Sequence, residues 1–277
     1  MKRRVKLSRA ALLAVLMICL FQISETVIGL LIQPEINDNM KEQIAELPFD
    51  YQKIFDSLLT ETNDPRLAEM ITMYQSYPMK YLELLASNLD TFDFVYNYPT
   101  HFNTISLSLD EAELTNGIPV LFQWDERWGY SFYGEDILAL TGCGPTVLSM
   151  VLSYLCQDLS ITPASVADYA QNNGYYINGQ GTLWSLFEDY ANLHGITCEY
   201  LLINEKVIME NLQAGIPLIV SMLPGDFTKT GHFIVLCGVN DDSTIRVHDP
   251  NSKTRTEQQW DIDTLLPQIA AGWLFHG

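Results

Sequence analysis

The stretch ALTGCGPTVLSM, residues 139–150, places Cys143 between two glycines and two residues before a proline. Proline fits the first turn of a helix, where its missing N–H costs nothing, and glycine permits tight backbone turns. The apolar residues that follow recur at the spacing of one helix face. The sequence therefore predicts a helix from about residue 145 to 156, with Cys143 at or just before its first turn.

A cysteine at a helix start has two interpretations. The unpaired N–H groups and the dipole of a helix N-terminus favour a thiolate, which is a nucleophile. Gly142 and Gly144 leave the backbone bare on both sides, so we expect them to admit a substrate chain. The alternative is a buried cysteine at a tightly packed helix start, and for a cysteine considered alone this alternative is the stronger. A nucleophilic thiolate needs a partner base, so the partner decides between them.

The candidate base lies in TGHFIVLCGVNDDSTIRVHDP, residues 230–250, which is typical of a β-hairpin with its turn at residues 240–243. A turn centred between residues 241 and 242 places Ile234 opposite Asp249. Asp249 is then a diagonal neighbour of His232, which follows Gly231, on the same face. A register slip of one residue would bring His248 there instead. Chemistry favours Asp249, because a carboxylate holds an imidazole in the tautomer that a base needs.

Thiolate attack on a carbonyl also requires donors for the oxyanion. The backbone N–H of Cys143 is one candidate. Gln123, in IPVLFQWDERWG, is the candidate side-chain donor. A glutamine beside two tryptophans is equally well explained as a packed, hydrogen-bonded residue, and the residues alone leave both interpretations open.

Charge and cysteine usage exclude several classes of protein. The 277 residues carry a net charge of −19, and the first nine contain five basic residues and no acid. The rest is therefore still more acidic and would repel phosphate backbones, which argues against nucleic-acid binding. Four scattered cysteines in the body form neither a CxxC pair nor a metal-ligand spacing. We expect no metal, no other cofactor and no disulfide framework.

The amino terminus has the layout of an export signal. Its basic residues run directly into AALLAVLMICLF, residues 10–21, and apolar character continues to Ile32. No small-x-small cleavage site follows the first apolar run. Residues 1–33 are therefore predicted to be a signal peptide or a signal anchor in the membrane. The body would then be extracytoplasmic, either anchored or secreted. A buried amino-terminal helix is the less favoured alternative.

The body divides into two regions that differ in the pattern of their apolar and turn residues. Residues 34–116 show helical spacing interrupted at residues 63–65 and at Pro78, and predict a helical stalk or subdomain without catalytic residues. TNGIP, residues 115–119, marks a boundary by its turn chemistry. In residues 117–277 further helices are expected at 163–172, 182–194, 205–214 and 261–271. Strands are expected at 198–203, 216–223, 232–239 and 244–249. The predicted helices come first along the sequence and the strands cluster late. This order indicates an α+β domain with an antiparallel sheet.

The ordered motifs IPVLFQWDERWG, TGCGPTVLSMVLSYL, GHFIVLCGV and VHDPNS resemble the double-glycine, bacteriocin-processing peptidase-like family of papain-like cysteine peptidases, cysteine peptidase family 39. The likeness covers about residues 117–275 and is greatest to the stand-alone exported branch. It implies a papain-like fold in which the cysteine helix packs on an antiparallel sheet. It also implies Cys143 as nucleophile, His232 as general base and acid, and Asp249 as the residue that orients His232. Gln123 would be the oxyanion donor.

The sequence departs from that family's transporter-linked members. Gln123 precedes Cys143 by 20 residues, so YSFYGEDILAL has to loop back to bring the amide to the thiol. No transporter domain follows in this chain.

Three functions are compatible with these residues. The leading one is a thiol hydrolase that cleaves a peptide or isopeptide bond of a peptide or protein substrate through an acyl-enzyme. The same residues would serve a transpeptidase or a cell-wall amidase. The alternative from another class is a catalytically idle binding module at the cell surface.

Overall fold

The computed structural model describes residues 38–101 and 105–277. The chain divides into two compact units between Ala86 and Ser87. The predicted signal or anchor, residues 1–33, lies outside the described residues. Within the described ranges, no helix combines the length and the apolar character needed to cross a membrane.

The first unit is helical, as the spacing of its apolar residues predicts. Residues 38–45 are helical, and α1 (Phe49–Glu61), α2 (Arg66–Thr72) and α3 (Met79–Ser87) follow. The break between α1 and α2 lies at residues 62–65, where the sequence places Asn-Asp-Pro, and α3 begins directly after Pro78. The side chains that are fully buried in this unit include Phe55, Leu58, Leu67, Met70, Leu82 and Leu85.

The second unit mixes short helices with an antiparallel sheet. Its helices are α4 (Phe92–His101), α5 (Glu111–Thr115), α6 (Leu138–Thr141), α7 (Cys143–Cys156), α8 (Pro163–Asn172), α9 (Ser185–Leu193), α10 (Glu205–Gln213), α11 (Lys253–Glu257) and α12 (Ile262–Leu265). Its strands are β1 (Phe132–Tyr133), β2 (Asp136–Ile137), β3 (Tyr176–Ile177), β4 (Gly181–Thr182), β5 (Thr197–Tyr200), β6 (Leu218–Met222), β7 (His232–Val239), β8 (Ile245–His248), β9 (Gln259–Trp260) and β10 (Ile269–His276).

Six of these strands form one sheet in the order β5-β10-β6-β7-β8-β9, and every pair in it is antiparallel. The predicted α+β class with an antiparallel sheet is confirmed. Alternation along the strands separates two cores. Phe233 and Val235 of β7 pack with α7, whereas Ile234 and Leu236 pack on the other face, in a core shared with α10.

Helix α7 is the central helix of the first of these cores. Every residue from Gly144 to Ser153 is buried, and Val147, Leu148 and Val151 belong to the cluster that contains Phe233 and Val235 of β7. A helix buried on all sides is held by its packing rather than by its own propensity. The start of α7 is therefore fixed against the sheet.

One predicted element is wrong. The sequence analysis expects a helix over 261–271, but α12 ends at Leu265 and a single 3₁₀ turn, Leu266–Gln268, follows it. The run IAAGWLFH then forms β10, which lies between β5 and β6 inside the sheet. A central strand that is covered on both sides shows no clear alternation, so its apolar run is indistinguishable from a buried helix by periodicity.

Residues upstream of the predicted domain boundary belong to the second unit. The hydroxyl of Tyr130 donates to the carbonyl of Phe94 on α4 at 2.8 Å, and the two rings stack with centroids 4.3 Å apart. Arg127 likewise pairs with Glu113 on α5 at 2.8 Å. The boundary that turn chemistry predicts at residues 116–117 therefore lies inside this unit, which begins at Ser87.

Candidate active site

The thiol of Cys143 lies at the first residue of α7, with Gly142 as the N-cap. The backbone N–H of the first helical residue has no acceptor within the helix. The thiol opens into a cleft of about 750 Å³. The side chains around the cleft include Gln123, Cys143, His232, Asn251 and Arg255.

His232 is the first residue of β7, and its Nε2 lies 2.8 Å from Oδ1 of Asp249, which directly follows β8. The imidazole is 8% exposed and the carboxylate is fully buried. His232 lines the same cleft as Cys143, and Cys143 is one of the groups that raise the pKa of His232. Because Nε2 faces the carboxylate, Nδ1 is the ring nitrogen left for the thiol. The structure thus brings three of the predicted site residues together in the order Cys143, His232, Asp249.

The register that joins His232 to Asp249 arises from two deviations that compensate each other. The turn runs from Asn240 to Thr244 and is one residue longer than a turn centred between residues 241 and 242. It therefore pairs Gly238 with Arg246. A β-bulge between Leu236 and Gly238 then restores the predicted pairing, Val235 opposite His248. Without that bulge, every side chain of β8 near the site would shift by one position.

The environment of His232 favours its charged form at neutral pH. Burial alone would lower the pKa of this imidazole, but the hydrogen bond to Asp249 and the interaction with Cys143 outweigh it and raise the pKa of His232 to about 9. A protonated imidazole beside the sulfur is the counter-ion that a thiolate requires.

Asp249 is held by more donors than the sequence predicted. Oδ1 accepts the backbone N–H of Asn251 at 2.7 Å in addition to the histidine, and Oδ2 accepts Nε of Arg255 at 2.5 Å. Burial opposes ionisation of this carboxylate, but the hydrogen bond to His232 and the charge of Arg255 hold the pKa of Asp249 below its usual value. The buried group therefore stays ionised.

Arg255 is the residue of this arrangement that sequence reasoning missed. It lies on α11, where Ser252 is the N-cap and accepts the backbone N–H of Arg255. A serine directly before a short polar segment, just after the Asp-Pro turn, is a signal for a helix start at this point. That signal does not tell which neighbour the guanidinium meets.

The segment between Gln123 and Cys143 forms the loop that the sequence requires. β1 and β2 make a small hairpin, α6 follows, and Nε2 of Gln123 donates to the carbonyl of Ala139 on α6 at 2.7 Å. The backbone N–H of Gln123 donates to Pro250, next to Asp249, at 2.8 Å. The amide is buried and lines the cleft with Cys143. One hydrogen of Nε2 remains for a ligand.

The three glycines that the sequence analysis assigned to substrate binding differ in their surroundings. Gly142 and Gly144 are buried. A Cβ at Gly142 would approach Leu138 to 2.5 Å, and one at Gly144 would approach Thr182 to 2.6 Å. The absence of a side chain at these two positions is therefore explained by protein packing, and their assignment to substrate binding stays a prediction. Gly231 is exposed, has open space around it and lines the cleft.

The other described cysteines have no comparable setting. Cys156, Cys198 and Cys237 form no disulfide with one another or with Cys143. Burial raises the pKa of Cys198 to about 12 and that of Cys237 to about 11, and burial and Asp158 raise the pKa of Cys156. Among the described cysteines, Cys143 alone shares the cleft with His232, the histidine that is bound to a carboxylate.

His248, which a register slip would have placed beside His232, lies apart from this arrangement. Its Nδ1 is buried without a partner in the part of the chain that the structure describes. Burial lowers the pKa of His248 to about 4, although a hydrogen bond with the backbone of Pro119 opposes the shift. The ring is thus neutral in the folded protein at neutral pH.

His248 is expected to make the fold sensitive to acid. Its folded pKa of about 4 lies below the unfolded value of about 6.5, so the unfolded chain binds more protons between these values and stability falls as pH drops from about 6.5 to 4. His248→Gln, which keeps a donor for Pro119, should reduce the loss of Tm between pH 6.5 and 4.5 by at least about 2–4 °C. Thermal unfolding at both pH values measures this. His232 affects stability in a separate pH window. Its pKa is raised to about 9, so its contribution to the free energy of unfolding is lost as pH rises from about 6.5 to 9. An equal loss of Tm between pH 6.5 and 4.5 in the variant and the parent would contradict the prediction.

Comparison with known proteins places the chain in a family. The sequence profile of the Peptidase_C39 like family matches residues 114–274, which include all four predicted site residues. A search of curated proteins finds no match. The fold is similar to the peptidase domain of Streptococcus ComA, a bi-functional ABC transporter involved in a quorum-sensing pathway. That alignment has 18% identity and a TM-score of 0.39, and covers 49% of this chain and 91% of that domain.

A second solved structure, described as a C39-like peptidase from Bacillus anthracis, aligns with 15% identity and a TM-score of 0.34. That alignment covers 50% of this chain and 89% of the other. The family match spans more than half of the chain and agrees with the resemblance that the motifs carry. The chain belongs to the Peptidase_C39 like family, whose members have a papain-like cysteine peptidase fold.

Proposed function

We propose that the protein is a cysteine peptidase that cleaves a peptide or isopeptide bond through Cys143, His232 and Asp249. The observation that supports this most directly is the 2.8 Å hydrogen bond between His232 and a fully buried, ionised Asp249, in the same cleft as the thiol of Cys143. A merely structural histidine at this depth does not require both a charged carboxylate and a thiol as partners. Membership of a peptidase family supports the same reaction class.

In the proposed reaction, the Cys143 sulfur attacks the carbonyl carbon of the scissile bond. The imidazolium of His232 then gives its proton to the leaving nitrogen, which departs as a free amine and leaves an acyl-enzyme on Cys143. His232, now neutral, takes a proton from a water molecule, and the resulting hydroxide attacks the acyl carbon. The carboxylic acid product leaves, and the thiolate and imidazolium are restored. Asp249 keeps Nε2 protonated and the ring oriented throughout.

Each tetrahedral intermediate carries a negative oxygen that needs donors. The backbone N–H of Cys143 and the remaining Nε2 hydrogen of Gln123 are the proposed pair. Gln123 is suited to this task because two contacts fix it in place, its Nε2 on Ala139 and its backbone N–H on Pro250. A donor held in advance does not have to reorganise when the charge develops.

We propose that the reaction takes place outside the cytoplasm, on a peptide or protein substrate. The support is the basic start and the apolar run of residues 1–33, which would export the chain and leave it either membrane-anchored or released. The acidic body supports the further expectation that nucleic acids are not partners.

The direct test is alkylation of the full chain by iodoacetamide near pH 7, with the modified residues identified by mass spectrometry. We expect Cys143 to react at least about ten-fold faster than glutathione, and His232→Ala to remove that advantage. Cys156, Cys198 and Cys237 are internal controls that should react slowly. A rate at Cys143 equal to that of glutathione would instead support the idle binding module. Cleavage of a peptide library and of a muropeptide digest then separates a peptidase from a cell-wall amidase.

Replacement of the oxyanion donor should reduce turnover rather than binding. Gln123→Ala is expected to lower kcat by about 10²-fold with a much smaller change in KM, because the amide serves the charge of the intermediate. The assay uses whichever library peptide the parent cleaves. Gln123→Glu is the matched control: it keeps the size of the side chain and loses the donor, so it should be at least as impaired. A large rise in KM with kcat unchanged would show that Gln123 binds the ground state instead.

A further inference from the structure

The cleft beside Cys143 has a wall that comes from outside the family region. Ser87, Asn88, Leu89 and Asp90 all line this cleft, yet the family match begins only at residue 114. These four residues belong to the same compact unit as the catalytic candidates. We call Ser87–Asp90 the upstream wall.

The upstream wall is fastened to the loop that carries Asp249 and Arg255. Nδ2 of Asn88 donates to the carbonyl of Asn251 at 2.5 Å, and the backbone N–H of Lys253 donates to Oδ2 of Asp90 at 2.9 Å. Asn88 also accepts the backbone N–H of Asp90 through its side chain, which caps the 3₁₀ turn Leu89–Thr91. The position of the wall relative to the Asp249–Arg255 loop is therefore set by specific hydrogen bonds.

Leu89 is the apolar side chain that this capped turn presents. It is 37% exposed although it stands in a cleft whose other walls are largely polar. The apolar surface in the same cleft comes from Leu140, which is half-buried, and from the ring of Phe227, which is 4% exposed. An exposed leucine on a capped turn has apolar surface to bury when a ligand arrives.

We propose that the upstream wall is part of the substrate-binding site, and that Leu89 binds an apolar side chain of the substrate close to the scissile bond. This inference rests on the proposed peptidase activity, because the occupant of the cleft is then a polypeptide attacked by Cys143. The turn residues Asn88 and Asp90 set the position of Leu89, and Leu89 makes the contact. The segment before the family region thus contributes to specificity.

Two alkylating probes test this without knowledge of the natural substrate. Iodoacetamide reports the reactivity of Cys143, and N-isobutyl iodoacetamide adds an apolar group of the size of a leucine side chain. For each protein, the rate with N-isobutyl iodoacetamide is divided by the rate with iodoacetamide, and the result is divided by the same ratio for glutathione. For the parent, this corrected ratio should be about five to ten. Leu89→Ala should reduce this corrected ratio to within about two-fold of unity, and Leu89→Asp should reduce it further. Leu193→Ala is the matched control, since Leu193 is 63% exposed on α9 and does not line the cleft.

The two hypotheses fail in distinguishable ways. If iodoacetamide itself reacts with Cys143 no faster than with glutathione, the proposed peptidase activity is wrong. If that rate is high but the corrected ratio is near unity in the parent, or is the same in Leu89→Ala as in the parent, the role of Leu89 is wrong. A loss of the ratio in Leu193→Ala equal to that in Leu89→Ala would also contradict it, because it would assign the apolar preference to a general change in the fold.

Discussion

Cys143→Ala is expected to abolish turnover, by at least about 10⁴-fold, while the fold remains intact. The sulfur forms the bond to the substrate, and the described part of the chain places no second nucleophile against His232. The substitution occurs at the N-terminal residue of α7, and the buried packing of that helix begins at Gly144. Alanine also favours a helix, so the melting temperature should stay within a few degrees of the parent. Hydrolysis of a cleaved library peptide and thermal unfolding measure the two parts.

A separate signature distinguishes loss of the nucleophile from loss of the site. The contact with Cys143 is one of the interactions that raise the pKa of His232 to about 9. Cys143→Ala removes that contribution and leaves burial unchanged, so the pKa of His232 should fall, which NMR titration of the ring can follow. Residual activity of more than a trace in this variant would show that another residue is the nucleophile. Cys143→Ser is the matched control, because it keeps a hydroxyl in place of the thiol and should still be impaired.

Much of the site could be predicted because its chemistry is local in sequence. The glycines and the proline around Cys143 define a helix start, and the turn residues after β7 define a hairpin that carries His232 and Asp249 on neighbouring positions. The predicted strands at 232–239 and 244–249 correspond to β7 and β8 within a residue at each end. In the helix start and in the hairpin turn, a few neighbouring residues determine the backbone conformation.

The parts that could not be predicted depend on contacts between distant segments. The bulge near Cys237 is a property of the sheet, and the correct register at Asp249 was obtained although the turn is one residue longer than expected. β10 was missed because its neighbours in the sheet, β5 and β6, decide that its apolar run is a strand. The hydrogen bond of Arg255 with Asp249 likewise forms only after folding, as does the packing of Thr182 against Gly144. Periodicity carries no information about such partners.

Asp249→Asn should lower kcat/KM by up to about 10⁴-fold, the largest effect expected of any residue that does not touch the substrate. The carbonyl oxygen of the new amide would be retained at the Oδ2 position, where Arg255 donates to it, and the NH₂ group would take the Oδ1 position and lose the backbone N–H of Asn251. That NH₂ group would then donate to Nε2 of His232. That fixes the ring proton on Nδ1, the nitrogen left for the thiol, so the neutral imidazole cannot accept a proton from Cys143. The pKa of His232 should also fall, because the hydrogen bond and charge of Asp249 raise it in the parent.

The pH profile of this variant separates a tautomer effect from simple misfolding. In the parent, kcat/KM should decline as pH rises through about 9, where His232 loses the proton that it gives to the leaving nitrogen. In Asp249→Asn that decline should move to lower pH, whereas a variant that is merely partly unfolded would keep the parent's midpoint with a smaller amplitude. His248→Gln, which alters the neighbouring residue, should change kcat/KM by less than about three-fold and leave the midpoint unchanged. If His248→Gln proved the more damaging of the two, or if Asp249→Asn kept the parent's midpoint and rate, His232 would depend on some group other than Asp249 for its orientation.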